Sequence, residues 1–142
     1  MTENKKIVMY SDGGSRGNPG KAAIGIVLYA EDSNGNLTHV GGIKKYIGIK
    51  TNNFAEYTAL ITGLQEAKNL GYKKAGCFLD SELVVKQMNG LYRVKEESLK
   101  PLFQEVKELT KSFDLVTFTH VPREKNKAAD KLVNEALDQL SN

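Results

Sequence analysis

The chain has no tryptophan, one cysteine, three prolines and two histidines in 142 residues. A lone Cys77 cannot close a disulfide within the chain, and its apolar, strand-like surroundings read as those of an inert core thiol. With so few imidazoles and thiols, a zinc site built on His and Cys is excluded as the organising feature. No apolar run approaches the roughly 20 residues of a membrane span. Met1 to Lys6 is too polar for a signal peptide, so the expected address is the cytoplasm, with no membrane partner. Internal repeats and low-complexity tracts are also missing.

What is present is 40% hydrophobic and 26% charged, the balance of a globular protein. The length suits one domain over residues 1–142, with an ordered core of about 6–140, and a monomer is the default expectation. The formal charge of +3 mildly favours polyanionic partners and by itself decides nothing.

Hydrophobic periodicity divides the chain into nine elements. Lys6 to Asp12 reads as a strand apolar on both faces, which places it centrally in a sheet. Ala22 to Ala30 and Leu37 to Ile47 follow as strands, joined through Asn34-Gly35, a hairpin signal. Tyr57, Leu60, Ile61, Leu64 and Ala67 form one helical stripe that Gly71 ends. Ala75 to Leu79 is a short strand and Ser81 to Met88 a helix. Gly90 to Ser98 is an irregular link, Leu99 to Lys111 a helix with Pro101 in its first turn, and Leu115 to Val121 a strand. A loop, Pro122 to Asn126, leads to a last helix over Lys127 to Leu140, with Ala129, Val133, Ala136 and Leu140 as its apolar stripe. The order β-β-β-α-β-α-α-β-α predicts an α/β fold, a mixed sheet flanked by helices.

Four carboxylates fall at the ends of these elements. Asp12 closes the first strand and is followed by Gly13-Gly14-Ser15-Arg16-Gly17-Asn18-Pro19, a glycine-rich run whose backbone N–H groups could approach a charged ligand. An acid beside a phosphate-friendly loop points to a cation between the two. Glu56 lies in the first turn of the first long helix, Asp80 ends the fourth strand, and Asp130 lies in the first turn of the last helix. If strands one and four are parallel neighbours, Asp12 and Asp80 emerge side by side at their carboxyl ends, the edge where open α/β sheets bind ligands. Each acid also has a purely local reading. Asp12 could start a turn, Asp80 could cap a helix, Glu56 could form a capping box with Asn53, and Asp130 could complement a helix dipole. Gathering the acids costs roughly 4 kcal/mol per pair at about 4 Å and an effective dielectric near 20. A divalent ion would offset that repulsion, and oxygen-only ligands suit Mg2+ or Mn2+.

Taken together, Ser11-Asp12-Gly13-Gly14-Ser15-Arg16-Gly17-Asn18-Pro19-Gly20, Thr51-Asn52-Asn53-Phe54-Ala55-Glu56, Leu79-Asp80-Ser81 and His120 through Asn126 to Asp130 resemble the type 1 ribonuclease H family. The resemblance runs from about Ile7 to Ala136 with the motifs in the family's order. It implies a ribonuclease H-like fold with a five-stranded mixed sheet, three antiparallel strands and then two parallel ones. It further implies an endonuclease that hydrolyses the RNA strand of RNA–DNA hybrids, leaving 3′-hydroxyl and 5′-phosphate ends. Asp12, Glu56, Asp80 and Asp130 match the metal-binding acids, with two Mg2+ ions expected and Mn2+ as a substitute. His120 matches a histidine that assists proton transfer or product departure, a step suited to imidazole. Asn18, Asn52 and Asn53 match readers of the minor groove, where 2′-hydroxyls mark RNA, and Thr51 matches a DNA-phosphate contact. Gly13 and Asn126 complete the expected substrate-binding set. His39 has no such neighbours and reads as a surface or sheet residue.

Two departures stand out. Glu82 occupies a position where some relatives carry a glutamine that touches nucleic acid. The segment Gly90 to Ser98 is short and lacks tryptophan, so this is the short form, without a basic protrusion or a separate hybrid-binding domain. Arg16, Lys50, Arg93 and Lys95 are then the expected phosphate contacts, with modest affinity that falls as salt rises. Two competing readings are a catalytically silent nucleic-acid-binding module of the same fold and another nuclease of the superfamily. Four intact acids weigh against the first, and Thr51-Asn52-Asn53 against the second.

Overall fold

Ile7, Val8 and Met9 are all buried, as expected of a strand covered on both sides, and the strand they belong to lies at the centre of the molecule. The computed structural model describes residues 6–141; Met1–Lys5, which make up most of the segment judged too polar for a signal peptide, lie outside them. The chain order is β1 (Lys6–Arg16), β2 (Gly20–Glu31), β3 (Leu37–Lys50), α1 (Asn52–Asn69), β4 (Lys74–Leu79), α2 (Glu82–Met88), α3 (Lys100–Thr110), β5 (Leu115–His120) and α4 (Lys127–Asp138), with 3-10 turns at Arg123–Lys125 and Gln139–Ser141. The sheet order is β3-β2-β1-β4-β5. β1, β2 and β3 pair antiparallel, while β1–β4 and β4–β5 are parallel, so the expected five-stranded mixed sheet is present.

α1 buries Tyr57, Leu60, Ile61 and Leu64 against Ile7, Met9, Ile24 and Ile26 on one face of the sheet. α4 covers the other face through Val133, Ala136 and Leu137 packed with Ala23. α1 closes with Gly71 at φ +88, the Gly71 N–H donating to the Lys68 carbonyl and the Tyr72 N–H to that of Ala67. This paired closure uses a left-handed residue that glycine adopts without a Cβ penalty. At the β2–β3 hairpin, Asp32 Oδ1 accepts from the Asn34 and Asn36 N–H groups at 2.9 Å, with Gly35 at φ +83. Cys77 is buried and burial pushes its thiol up, in keeping with an inert core residue. His39 is exposed on β3 with its ring edge-on to Tyr29. Among the described residues no helix is long and apolar enough to cross a membrane.

Several boundaries differ from the sequence reading, three of them with a clear cause. β1 continues past Asp12 to Arg16, because β2 supplies ladder partners as far as Arg16–Lys21, and the turn shrinks to Gly17-Asn18-Pro19. β3 runs to Lys50 because a bulge between Ala22–Gly48 and Ala23–Tyr46 absorbs Ile47 without ending the pairing. α4 ends at Asp138, so Leu140 is 39% exposed in the following turn and Leu137 takes its expected place in the core.

Candidate active site

The parallel ladder between β1 and β4 stops at the pair Ser11–Leu79. One residue further on, Asp12 is still held in β1 by its pairing with Gly25, while Asp80 leaves β4. The two acids therefore stand beside each other at the carboxyl ends of neighbouring parallel strands. Glu56 comes from α1. Thr51 starts that helix, its hydroxyl oxygen accepting from the Phe54 N–H at 3.2 Å, and Glu56 follows one turn later.

Gly13 makes the approach of α1 possible. A Cβ at this residue would fall within the backbone of Ala55 and 2.5 Å from the Glu56 nitrogen. The Gly13 backbone N–H pulls the Glu56 carboxyl down, against the larger effect of burial. Gly13, expected in the substrate-binding set, also lines the cleft that holds the acids. Gly13→Ala is expected to push α1 outward and cost roughly 2–4 kcal/mol, since overpacking against backbone has no rotamer escape. Urea unfolding of the variant beside the parent measures this, and a loss below about 1 kcal/mol would contradict it.

Asp12 and Glu56 are each only 7% exposed, and with Asp80 they present carboxylate oxygens that all lie within 4.8 Å of one another. Burial above all, then the charge of Asp80, pushes the Asp12 carboxyl up to about 7. Burial and the neighbouring Asp12 raise Glu56 well above the usual carboxylate range. Asp80 is raised by burial, against the opposing pull of the Asn126 amide and the Arg123 guanidinium. Asp130 is half-buried in the first turn of α4 with its carboxylate against Asp12, beside the three-way convergence rather than within it. Glu56 Oε2 is fully buried with no hydrogen-bond partner. Converging oxygens, suppressed ionisation and an orphaned buried carboxylate oxygen fit a hard divalent cation. The acids open into a cleft of about 340 Å3 lined also by Ser15, Arg16, Asn52, Arg123 and Asn134.

Residues 10–136 match the Reverse transcriptase-like family model. The crystal structure of RNase H1 from the halophilic archaeon Halobacterium salinarum superposes with a TM-score of 0.86 at 42% identity, covering 94% of this chain and 98% of that one. The chain belongs to the type 1 ribonuclease H family. LC11-RNase H1, solved in complex with an RNA/DNA hybrid, is similar to the same degree, with a TM-score of 0.86, 42% identity and coverage of 96% and 99%. The bifunctional protein Rv2228c of Mycobacterium tuberculosis is 43% identical over 133 residues, 94% of this chain and 36% of its own length. The chain thus spans about a third of the length of the curated mycobacterial relatives it matches.

Three of the local readings of the acids in this ribonuclease H domain are replaced. Ser81, not Asp80, caps α2, its hydroxyl accepting from the Val84 N–H at 3.3 Å. Thr51, not Asn53, caps α1, so Glu56 has no capping box to complete. Asp12 starts no turn, because it is paired within β1. Asp130 does lie in the first turn of its helix, where a negative charge suits the dipole as well.

The remaining expected residues separate by surroundings. Asn18 Oδ1 accepts from the Asn52 N–H at 3.0 Å, and Asn52 Oδ1 accepts from the Ser15 N–H at 2.8 Å and hydroxyl at 3.1 Å. Both amides are exposed, and these bonds leave their NH2 groups facing outward as donors. Asn53 is half-buried next to them. His120 is exposed at the end of β5, in register with Leu79. Asn126, expected at the substrate, is 1% exposed and donates to the Ser11 carbonyl at 2.9 Å. It ties the β5–α4 connection to β1.

The expected phosphate contacts also disperse. Arg16 is paired with Asp138 at 2.7 Å, Lys50 lies over the Phe54 ring at 4.5 Å, and Arg93 and Lys95 line a separate groove between α2 and the link that follows it. Glu82 pairs with Lys86 along α2 at 3.5 Å. Arg123 and Asn134 line the cleft and were not singled out from sequence. Arg123 falls inside the quoted His120–Asn126 run, and Asn134 lies one helical turn after Asp130, a spacing that places both on one face.

Proposed function

We propose that the chain is a divalent-metal-dependent endoribonuclease that hydrolyses the RNA strand of RNA–DNA hybrids, leaving 3′-hydroxyl and 5′-phosphate ends. The observation that carries this reading is the convergence of Asp12, Glu56 and Asp80, with Asp130 alongside, in one cleft where burial above all raises the pKa values of Asp12, Glu56 and Asp80. The similarity to an RNase H1 solved with a hybrid supports the substrate class.

Asp12, Glu56, Asp80 and Asp130 would hold two Mg2+ ions, with Mn2+ as a substitute. Bound there, such ions supply an activated water and neutralise charge on the phosphate oxygens during hydrolysis. The protein's own part is to keep the acids together: the β1–β4 ladder ends one residue before Asp12 and Asp80, and the Gly13 contact lets α1 bring Glu56 in. The outward NH2 groups of Asn18 and Asn52, with Asn53, face the minor groove, where the 2′-hydroxyl is both donor and acceptor. Thr51 caps α1 as an acceptor, which leaves its hydroxyl proton for a DNA phosphate. His120, exposed beside the acids' strand ends, moves a proton during cleavage or product departure. His120→Ala is expected to lower kcat about 10- to 100-fold with Mn2+ affinity unchanged. Loss of metal affinity in that variant would overturn this role.

The deciding assay incubates the protein with a labelled hybrid, a single-stranded RNA and a DNA duplex, each with Mg2+, Mn2+ or chelator. Cutting of the hybrid's RNA strand in either metal and not in chelator is the expected outcome. Binding without cutting would identify a silent module, and cutting of the DNA duplex another nuclease of this fold. Hybrid binding measured between low and moderate salt should weaken with salt; a flat response would rule out lysine and arginine phosphate contacts.

A further inference from the structure

The fourth acid is held differently from the other three. Asp12 is paired with Gly25 within the sheet and Glu56 sits where the α1 backbone meets Gly13, whereas Asp130 stands half-buried on the first turn of α4, its N–H donating to the Asn126 carbonyl at 3.1 Å. Its one neighbour along the helix is Asn134. The Asn134 Nδ2 group donates to the Asp130 carbonyl at 3.1 Å and approaches Asp130 Oδ2 at 3.4 Å. Asn134 Oδ1 accepts from Arg16 Nη2 at 3.3 Å, and the same Nη2 is anchored on Asp138 Oδ1 at 2.7 Å.

This chain of contacts fixes which way the Asn134 amide points. A guanidinium only donates, so it selects the carbonyl oxygen of the amide. The NH2 group is then left to face Asp130, which only accepts when ionised. The flipped amide would set donor against donor at Arg16 and acceptor against acceptor at Asp130. Arg16, an expected phosphate contact, also ties the end of β1 to α4.

We infer that Asn134, oriented by Arg16, is a positioning residue that holds the Asp130 carboxylate toward the metal site. The inference rests on the reading of the four acids as a metal site. Groups that orient metal-binding carboxylates typically contribute 10- to 100-fold in affinity or activity. Because Asn134 and Arg16 are exposed and contribute no core packing, their replacement leaves folding intact.

The test is calorimetric titration of Mn2+ into metal-stripped protein without nucleic acid, on the parent, Asn134→Ala, Arg16→Gln and Asp80→Asn, followed by hybrid cleavage across a Mn2+ series. Asn134→Ala is expected to weaken Mn2+ binding about tenfold and Arg16→Gln by a smaller factor in the same direction. At saturating Mn2+, kcat of Asn134→Ala should return to within about twofold of the parent with KM for the hybrid unchanged. Parent-like Mn2+ affinity in Asn134→Ala would overturn the positioning role alone, as would a raised KM at unchanged affinity, which would make Asn134 a direct substrate contact. Failure of the parent itself to bind Mn2+ would overturn both this inference and the metal-site reading, a result separable from the first because Asp80→Asn would then match the parent.

Discussion

Asp80→Asn is expected to slow cleavage of an RNA–DNA hybrid by about a thousandfold or more, equivalent to roughly 4 kcal/mol of lost transition-state stabilisation, while leaving the fold intact. Asp80 belongs to the trio whose oxygens converge within 4.8 Å, so the substitution removes one negative ligand where charge density is greatest. The fold tolerates it because Ser81, not Asp80, caps α2, and because Asp80 is itself raised by burial and gives up repulsion when neutralised. Asp130→Asn is expected to cost less, about 10- to 100-fold, since Asp130 stands beside the convergence. Single-turnover cleavage at saturating protein measures both. Equal losses in the two variants would contradict the geometric ranking, and a parent-like Asp80→Asn would sink the enzyme reading.

The metal-free protein is expected to grow less stable between about pH 4 and pH 8, and Asp12→Asn to remove much of that slope. Asp12 is raised from 3.8 to about 7 in the folded state. A carboxyl with a raised folded pKa binds its proton more tightly when folded. Its favourable contribution is therefore complete below the unfolded pKa near 4 and is lost as pH rises through about 7. Asp12 and Glu56 titrate as a pair, and together their forced ionisation at pH 8 costs a few kcal/mol. Asp12→Asn replaces one charge with an amide that can donate to Glu56. It should raise metal-free stability at pH 8 by roughly 1–3 kcal/mol and change it little at pH 4. Millimolar Mg2+ should stabilise the parent and not the variant by the linkage of binding to folding. Urea midpoints at the two pH values, with chelator and with Mg2+, give the answer; parent stability that rises from pH 5 to pH 8 in chelator would contradict the prediction.

Much of this was legible before any coordinates. The apolar run Ile7-Val8-Met9 implied a central strand, the stripe from Tyr57 to Leu64 implied a helix buried on one side, and Asn34-Gly35 implied a hairpin. All three depend on local chemistry and period. The acids could be found because they stood at element ends, and their adjacency required only that β1 and β4 be parallel neighbours. What local pattern could not convey was partnership across the fold. That the Ala55 backbone lies against Gly13 is nowhere in the sequence. Nor is the acceptor of Asn126, expected at the substrate: the Ser11 carbonyl lies 115 residues earlier. Strand ends failed for the same reason: β1 reaches Arg16 only because β2 has a partner for each residue.

The Ser11–Leu79 pairing also acts as a ruler. Strands in parallel register can slip only by whole residues, and a slip of one would carry Asp80 about 3.3 Å along the strand and turn it to the opposite side of the sheet. Ala75, Cys77 and Leu79, which face the core, are what forbid that slip, since a shift of one residue would turn them to the other face. Side chains with no chemistry of their own thereby determine whether two carboxylates meet, and a mispaired β4 would yield a compact sheet protein with its acids on opposite sides.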